Sequence, residues 1–94
     1  MRRAAKIDAN QPEIVRALRQ AGASVRSTAA LGKGFPDICV GWRGENFLME
    51  VKDGGKQPSK RKLTPDEERF AEVWKGQVVV VETVKDALRV IGVR

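Results

Sequence analysis

The segment ENFLMEVKDGGK, residues 45–56, combines the apolar run of a buried strand with charged side chains. Its apolar run is long enough for a buried strand, yet the run contains Glu50 and is followed by Lys52. Because side chains alternate along a strand, Glu50 and Lys52 share one face, and the opposite face carries Phe47, Met49 and Val51. One face therefore has the composition of a core, and the other carries a carboxylate and an ammonium group.

The preceding segment PDICVGW, residues 36–42, has the same two-faced pattern. Asp37 lies on its polar face, and the apolar face carries Ile38, Val40 and Trp42. We interpret residues 43–46 as a four-residue hairpin loop, which makes Asp37 the diagonal neighbour of Glu50 at about 7–8 Å. A slip of one residue would send Asp37 to the apolar face. The apolar pattern therefore predicts the register that brings the two acids together.

The rest of the chain predicts three helices and two more strands. Helices are expected at residues 10–22, 64–76 and 83–92, and strands at residues 24–29 and 77–82. Asn10 or Gln11 caps the first helix and Thr64 the second, while Phe70 and Trp74 pack the second helix on the sheet. The β-branched run of the last strand is typical of a strand covered on both faces. The predicted fold class is α/β in the order α-β-β-β-α-β-α: a mixed four-stranded sheet, with its last strand parallel, flanked by helices on both faces.

The length and amino-acid composition of the chain exclude several classes of functional site. The 94 residues predict one domain, residues 1–94, of which residues 1–9 form a flexible arm. Eighteen Lys and Arg against 12 Asp and Glu give a charge of +6, which favours a polyanionic partner. The chain has no His and one cysteine, Cys39, which excludes a disulfide framework, a structural zinc site and a His-dependent hydrolytic triad. With no secretory signal visible and no membrane-spanning stretch, we expect a cytoplasmic protein that is not secreted.

Carboxylates are the side chains that remain in this sequence as candidate metal ligands. Asp37 and Glu50 are candidate ligands for a hard divalent ion, Mg²⁺ or Mn²⁺, with the Val51 carbonyl completing an oxygen shell. Lys52, next to the ion, would position a water molecule and stabilise developing negative charge, which suits hydrolysis of a phosphodiester. The simpler alternative is a same-face ion pair between Glu50 and Lys52, which would contribute at most about 1 kcal/mol.

These residues also carry a family resemblance. GFPD, then a strand, then MEVK resembles the PD-(D/E)XK nuclease motif, with Pro36-Asp37 and Glu50-Val51-Lys52 as its two halves. Residues 10–92 resemble the virus-type replication-repair nuclease (VRR-NUC) domain of phages and bacteria. The resemblance implies a restriction-endonuclease-like fold and an endonuclease of DNA replication or repair. It further implies Glu13 as an additional catalytic and metal-binding acid, and a homodimer acting on branched or duplex DNA.

One position departs from the family pattern. The opening of the second helix, Leu63-Thr64-Pro65, is similar to that of the family. Such nucleases often have a Gln in the first turn of this helix, where this chain has Glu67. Glu67 either contacts the site or only completes a capping box with Thr64, and the sequence favours the capping box.

Basic residues flank both halves of the motif. The candidate DNA-binding residues are Lys33, Lys56, Lys60, Arg61 and Lys62, which would supply sequence-independent phosphate contacts. Arg2, Arg3 and Lys6 would extend this surface as an arm. A run of basic residues such as the one at residues 56–62 is more commonly part of a solvated loop. Two other functions stay open: a non-catalytic DNA-binding module or subunit with a nuclease-like fold, and an RNA-processing nuclease.

Overall fold

The helices and strands follow the predicted order. A computed structural model describes residues 8–93, so that most of the predicted arm, with Arg2, Arg3 and Lys6, lies outside the described residues. The elements are α1 (Gln11–Gln20), β1 (Ser24–Ser27), β2 (Ile38–Trp42), β3 (Glu45–Val51), α2 (Pro65–Val73), β4 (Val79–Val81) and α3 (Val84–Val90). Short 3₁₀ turns occupy Ala29–Leu31 and Pro58–Lys60. Within residues 8–93, no helix has both the length and the apolar character to cross a membrane.

The four strands form one mixed sheet in the order β1-β2-β3-β4. The pairs β1–β2 and β2–β3 are antiparallel, and the pair β3–β4 is parallel, as predicted. Helices α1 and α3 pack together on one face of the sheet, where burial of apolar side chains is the main stabilising contribution. The centre of this core is formed by Ile14, Leu18, Ile38, Val40, Met49, Val51, Val81 and Ala87.

The hairpin between β2 and β3 differs from the prediction in its length. Its loop is two residues, Arg43 and Gly44, whose φ angles of 50° and 82° are those of a type I′ turn. Trp42 consequently pairs with Glu45, so the predicted four-residue loop at residues 43–46 is wrong. The correction shifts the register by two residues, and a shift of two leaves every side chain on its predicted face. Continued one step beyond the pair Ile38–Met49, the register puts Asp37 directly opposite Glu50.

The second face of the sheet is less covered than the sequence predicts. Val80, in the middle of the edge strand β4, is 43% exposed, so the expectation of a strand covered on both faces is wrong. Helix α2 lies beside this face but has no buried residue. Phe70 and Trp74 stack on each other, with ring centroids 4.8 Å apart, and both contact Phe35 edge to face. These three rings form a small aromatic cluster outside the core.

Candidate metal centre

Asp37 stands immediately before β2 and is held against β3. Its Oδ2 accepts a hydrogen bond of 2.7 Å from the backbone N–H of Val51. Its backbone carbonyl accepts a hydrogen bond of 2.9 Å from Thr28 N–H, and the buried Pro36 fixes the chain before it. The carboxylate is therefore held between the ends of two interior strands and is not a freely rotating surface group.

Glu50 is the most perturbed acid of the site. The residue is 4% exposed, on the face opposite the apolar core. Burial, followed by a side-chain hydrogen bond with Asp37 and repulsion from the Asp37 and Glu67 carboxylates, raises the pKa of Glu50 to about 10. Two adjacent carboxyl groups with little water around them share a proton unless a cation takes its place. The donor set therefore fits a hard divalent ion.

Lys52 lies between two carboxylates. Its Nζ is 3.9 Å from Glu50 Oε2 and 2.7 Å from Glu67 Oε1. Burial alone would lower the pKa of Lys52, but the hydrogen bond and ion pair with Glu67 outweigh burial and raise it. Burial likewise opposes ionisation of Glu67, and the hydrogen bonds from Lys52 and the Thr64 amide reverse this, so that the pKa of Glu67 is lowered. Lys52 and Glu67 are therefore both charged at neutral pH.

Glu67 both completes the capping box of α2 and contacts the candidate site, the two alternatives that the sequence left open. The capping box of α2 is complete, because Thr64 Oγ1 accepts from Glu67 N–H and Glu67 Oε1 accepts from Thr64 N–H. The same Oε1 also accepts the hydrogen bond from Lys52. A cavity of about 50 Å³ is lined by Glu50 and Glu67 together with Phe70 and Val80 of the second face.

Sequence reasoning missed the part that the start of α1 plays in the site. Asn10, one of the two residues predicted to cap α1, is the N-cap residue, but its side chain makes no capping hydrogen bond. The side-chain amide donates instead to the carbonyls of Lys52, at 3.0 Å, and Glu82, at 2.9 Å. Gln11 is 5% exposed, and its Oε1 has no hydrogen-bond partner within residues 8–93. The two carbonyls that Asn10 binds are 42 and 72 residues away from it in sequence, so no local sequence pattern could have identified these contacts.

Two other predicted site residues have simpler positions. Glu13 is exposed on α1, away from the side that buries Gln11, Ile14 and Leu18, and no contact of the cluster described above includes it. Val51 is 1% exposed; its N–H binds Asp37, and it pairs with Val81 in the ladder between β3 and β4. The structure therefore brings Asp37, Glu50, Val51 and Lys52 together, and a role for Glu13 beside them stays a prediction.

The predicted DNA-binding residues differ in their solvent exposure and in their ion pairs. Lys33, Lys60 and Lys62 are exposed, and Lys56, also exposed, lies 3.9 Å from Asp8. Arg61 is half-buried and paired with Glu82 at 3.2 Å, which occupies its guanidinium with a structural contact. Residues 32–34 form a tight loop in which all three φ angles are positive. A Cβ at Gly34 would lie 2.2 Å from the backbone oxygen of Asp66, so this loop is pressed against the first turn of α2.

A metal ion at this site would have few side-chain ligands. Within residues 8–93 there is no group of three or more acidic or cysteine side chains that could hold an ion. An ion between Asp37 and Glu50 would therefore take its remaining ligands from backbone oxygen and water, as Mg²⁺ commonly does.

Comparisons with known protein families, curated proteins and solved structures find no significant match to this chain. The resemblance to the VRR-NUC domain stays a prediction, and the geometry of the cluster carries the functional interpretation.

Proposed function

We propose that the protein is a metal-dependent endodeoxyribonuclease with a restriction-endonuclease-like fold of the VRR-NUC kind. One observation carries the proposal: two carboxylates, Asp37 and Glu50, meet on one face of the sheet beside the half-buried ammonium group of Lys52. An isolated ion pair would need one acid and one base. A second acid, the half-buried Asp37, raises the free energy of the metal-free cluster beside the buried Glu50, and a divalent cation would relieve this repulsion.

In this proposal Asp37, Glu50 and the carbonyl of Val51 hold Mg²⁺ or Mn²⁺. When bound there, such an ion would lower the pKa of a coordinated water and offset negative charge on the phosphate. Asp37 is oriented by its hydrogen bond from Val51 N–H, so it needs little rearrangement to serve as a ligand. Lys52 donates hydrogen bonds to the attacking water or to a phosphate oxygen, where its fixed positive charge favours the transition state. Glu13, which is exposed on α1, remains the additional acid that the family resemblance implies.

The proposed substrate contacts are the exposed lysines around the site. Lys33 precedes Asp37 in sequence, and Lys56, Lys60 and Lys62 follow Lys52. Lysine side chains in this arrangement bind phosphates without reading bases, which fits selection of a DNA structure instead of a sequence. The net charge of +6 supports a polyanionic substrate.

Residues 8–93 contain one such cluster, so cutting both strands of a duplex or a junction at the same time would need two copies. We therefore include a homodimer acting on branched DNA in the proposal. Sedimentation velocity over the concentrations used for cleavage is the test. A monomer at every concentration would contradict the homodimer, while leaving nicking of single strands possible.

The decisive experiment is cleavage of supercoiled plasmid and of a four-way junction with Mn²⁺. Glu50→Gln is expected to lower the rate by more than about 100-fold, because it removes a proposed metal ligand. Glu45→Gln is the matched control, since Glu45 is an exposed acid on the same strand. Equal nicking by wild type and Glu50→Gln would contradict the proposal. RNA copies of the junction, tested in parallel, separate a deoxyribonuclease from a ribonuclease.

A further inference from the structure

Glu67 makes one more contact than a helix cap requires. Its Oε1 accepts from Thr64 N–H at 2.9 Å, which completes the capping box, and from Lys52 Nζ at 2.7 Å, which does not contribute to capping. The second contact joins α2 to the strand that carries Glu50, across 15 residues of sequence. A Gln at this position would fulfil the capping role equally well, so capping does not account for the carboxylate.

The positions of the three charged groups suggest what the carboxylate does. Lys52 Nζ lies 3.9 Å from Glu50 Oε2, so its positive charge acts on a proposed metal ligand. The side chains of Glu50, Lys52 and Glu67 are 6%, 12% and 18% exposed, and water and salt therefore screen their interactions weakly. An unbalanced ammonium group at this distance would repel a divalent cation approaching Glu50.

We propose that Glu67 is a positioning residue of the metal site, which holds the Lys52 ammonium group beside Glu50 and offsets its charge so that a divalent cation can bind there. Glu67 acts through Lys52 and is not itself a metal ligand. This inference rests on the proposed nuclease function and deepens it, since it assigns a role to a carboxylate that lies outside the PD-(D/E)XK motif.

The test is the affinity for Mn²⁺ without DNA, measured by titration calorimetry. Glu67→Gln keeps the acceptor oxygen of the capping box and removes the charge opposite Lys52. Its affinity is expected to fall about tenfold or more, the usual effect of changing a partner of a residue next to a metal. Glu68→Gln is the matched control, because Glu68 is an exposed acid in the same helical turn, and its affinity is expected to equal that of wild type.

Each outcome decides a different question. Wild-type affinity in Glu67→Gln would overturn the inference and leave Glu67 as a helix cap, and equal weakening in both variants would overturn it in favour of a general charge effect. Failure of wild type to bind Mn²⁺ would instead remove the proposed metal site, and the inference with it. Kinetics give a second readout at saturating Mn²⁺: a positioning role lowers kcat with little change in KM, whereas a change confined to KM would overturn the proposal.

Discussion

Glu50 is a carboxyl group that the fold buries beside two other carboxylates, Asp37 and Glu67. Ionisation of Glu50 in the metal-free protein is opposed by loss of solvation and by repulsion from these neighbours. A proton or a metal ion relieves both effects, and the two compete for the same oxygens. The stability of the metal-free protein should therefore depend on pH in the range where most enzymes are assayed.

We expect Glu50→Gln to stabilise the metal-free protein at pH 8 by on the order of 1–3 kcal/mol. The pKa of Glu50 is raised from its ordinary 4.5 to about 10 in the fold. Its protonated form therefore favours folding, and this contribution is complete below pH 4.5 and is lost as the pH rises toward 10. Urea unfolding in EDTA from pH 5 to 9 should show a decline for wild type that is much smaller in the variant. Parallel declines would contradict this prediction.

A second residue-scale prediction compares two glycines of similar backbone conformation. Gly34 and Gly44 have φ angles of 81° and 82°, so alanine is strained at either position. A Cβ at Gly44 meets nothing within 4 Å, whereas one at Gly34 lies 2.2 Å from Asp66 O. Gly44→Ala should cost about 1 kcal/mol, from backbone strain alone, and Gly34→Ala about 2–4 kcal/mol because α2 must also move. Similar losses in urea unfolding would contradict the close contact.

Among the elements, the hairpin shows what the sequence could predict. The apolar alternation of β2 and β3 predicted the correct face for Asp37 and Glu50, because a side-chain period of two tolerates a register error of two. The loop length was missed because Arg43 adopts a positive φ, which is uncommon for a residue other than glycine. The guanidinium of Arg43 lies 5.1 Å from the ring of Trp42, a contact that the linear pattern does not reveal.

Helix α2 is expected to open more readily than α3. Helix α2 has no buried residue, whereas α3 contributes Ala87 to the core. Thr64→Ala removes half of the capping box and should cost about 1 kcal/mol. Hydrogen exchange should accelerate in α2 more than in α3, since a weakly packed element opens without global unfolding. Thr83→Ala is the control, because Thr83 Oγ1 caps α3 in the same way. Equal acceleration of both helices in Thr64→Ala would show that α2 and α3 open together.

At the scale of the whole molecule, the proposed DNA affinity comes from exposed cations. Lys60→Ala should weaken binding to a junction in Ca²⁺ and reduce the slope of log K against log salt by about 1. Lys85→Ala provides the control, because Lys85 is exposed on α3, across the sheet from Glu50. Fluorescence anisotropy at several salt concentrations measures both slopes. An equal reduction in the two variants would indicate attraction by net charge without a defined surface.

Long-range contacts set the limit of what the sequence could predict. The acids Asp37 and Glu50 could be assigned to one face because each strand shows its own apolar pattern. The contacts of Lys52 with Glu67 and of Asn10 with Lys52 cross 15 and 42 residues, and they depend on how α2 and α1 approach the sheet. Helix propensity and capping patterns do not contain that information, so Glu67 was interpreted as a cap and Asn10 only as a helix start.

The Asn10 side chain bridges the carbonyls of Lys52 and Glu82, and this bridge has a consequence for protein synthesis. Asn10 is translated 72 residues before Glu82, one of its two acceptors. The complete bridge therefore forms only after Glu82 has been translated. We expect a nascent chain that stalls before β4 to lack both this bridge and the edge strand, so prematurely terminated products would not assemble the acidic cluster beside Lys52.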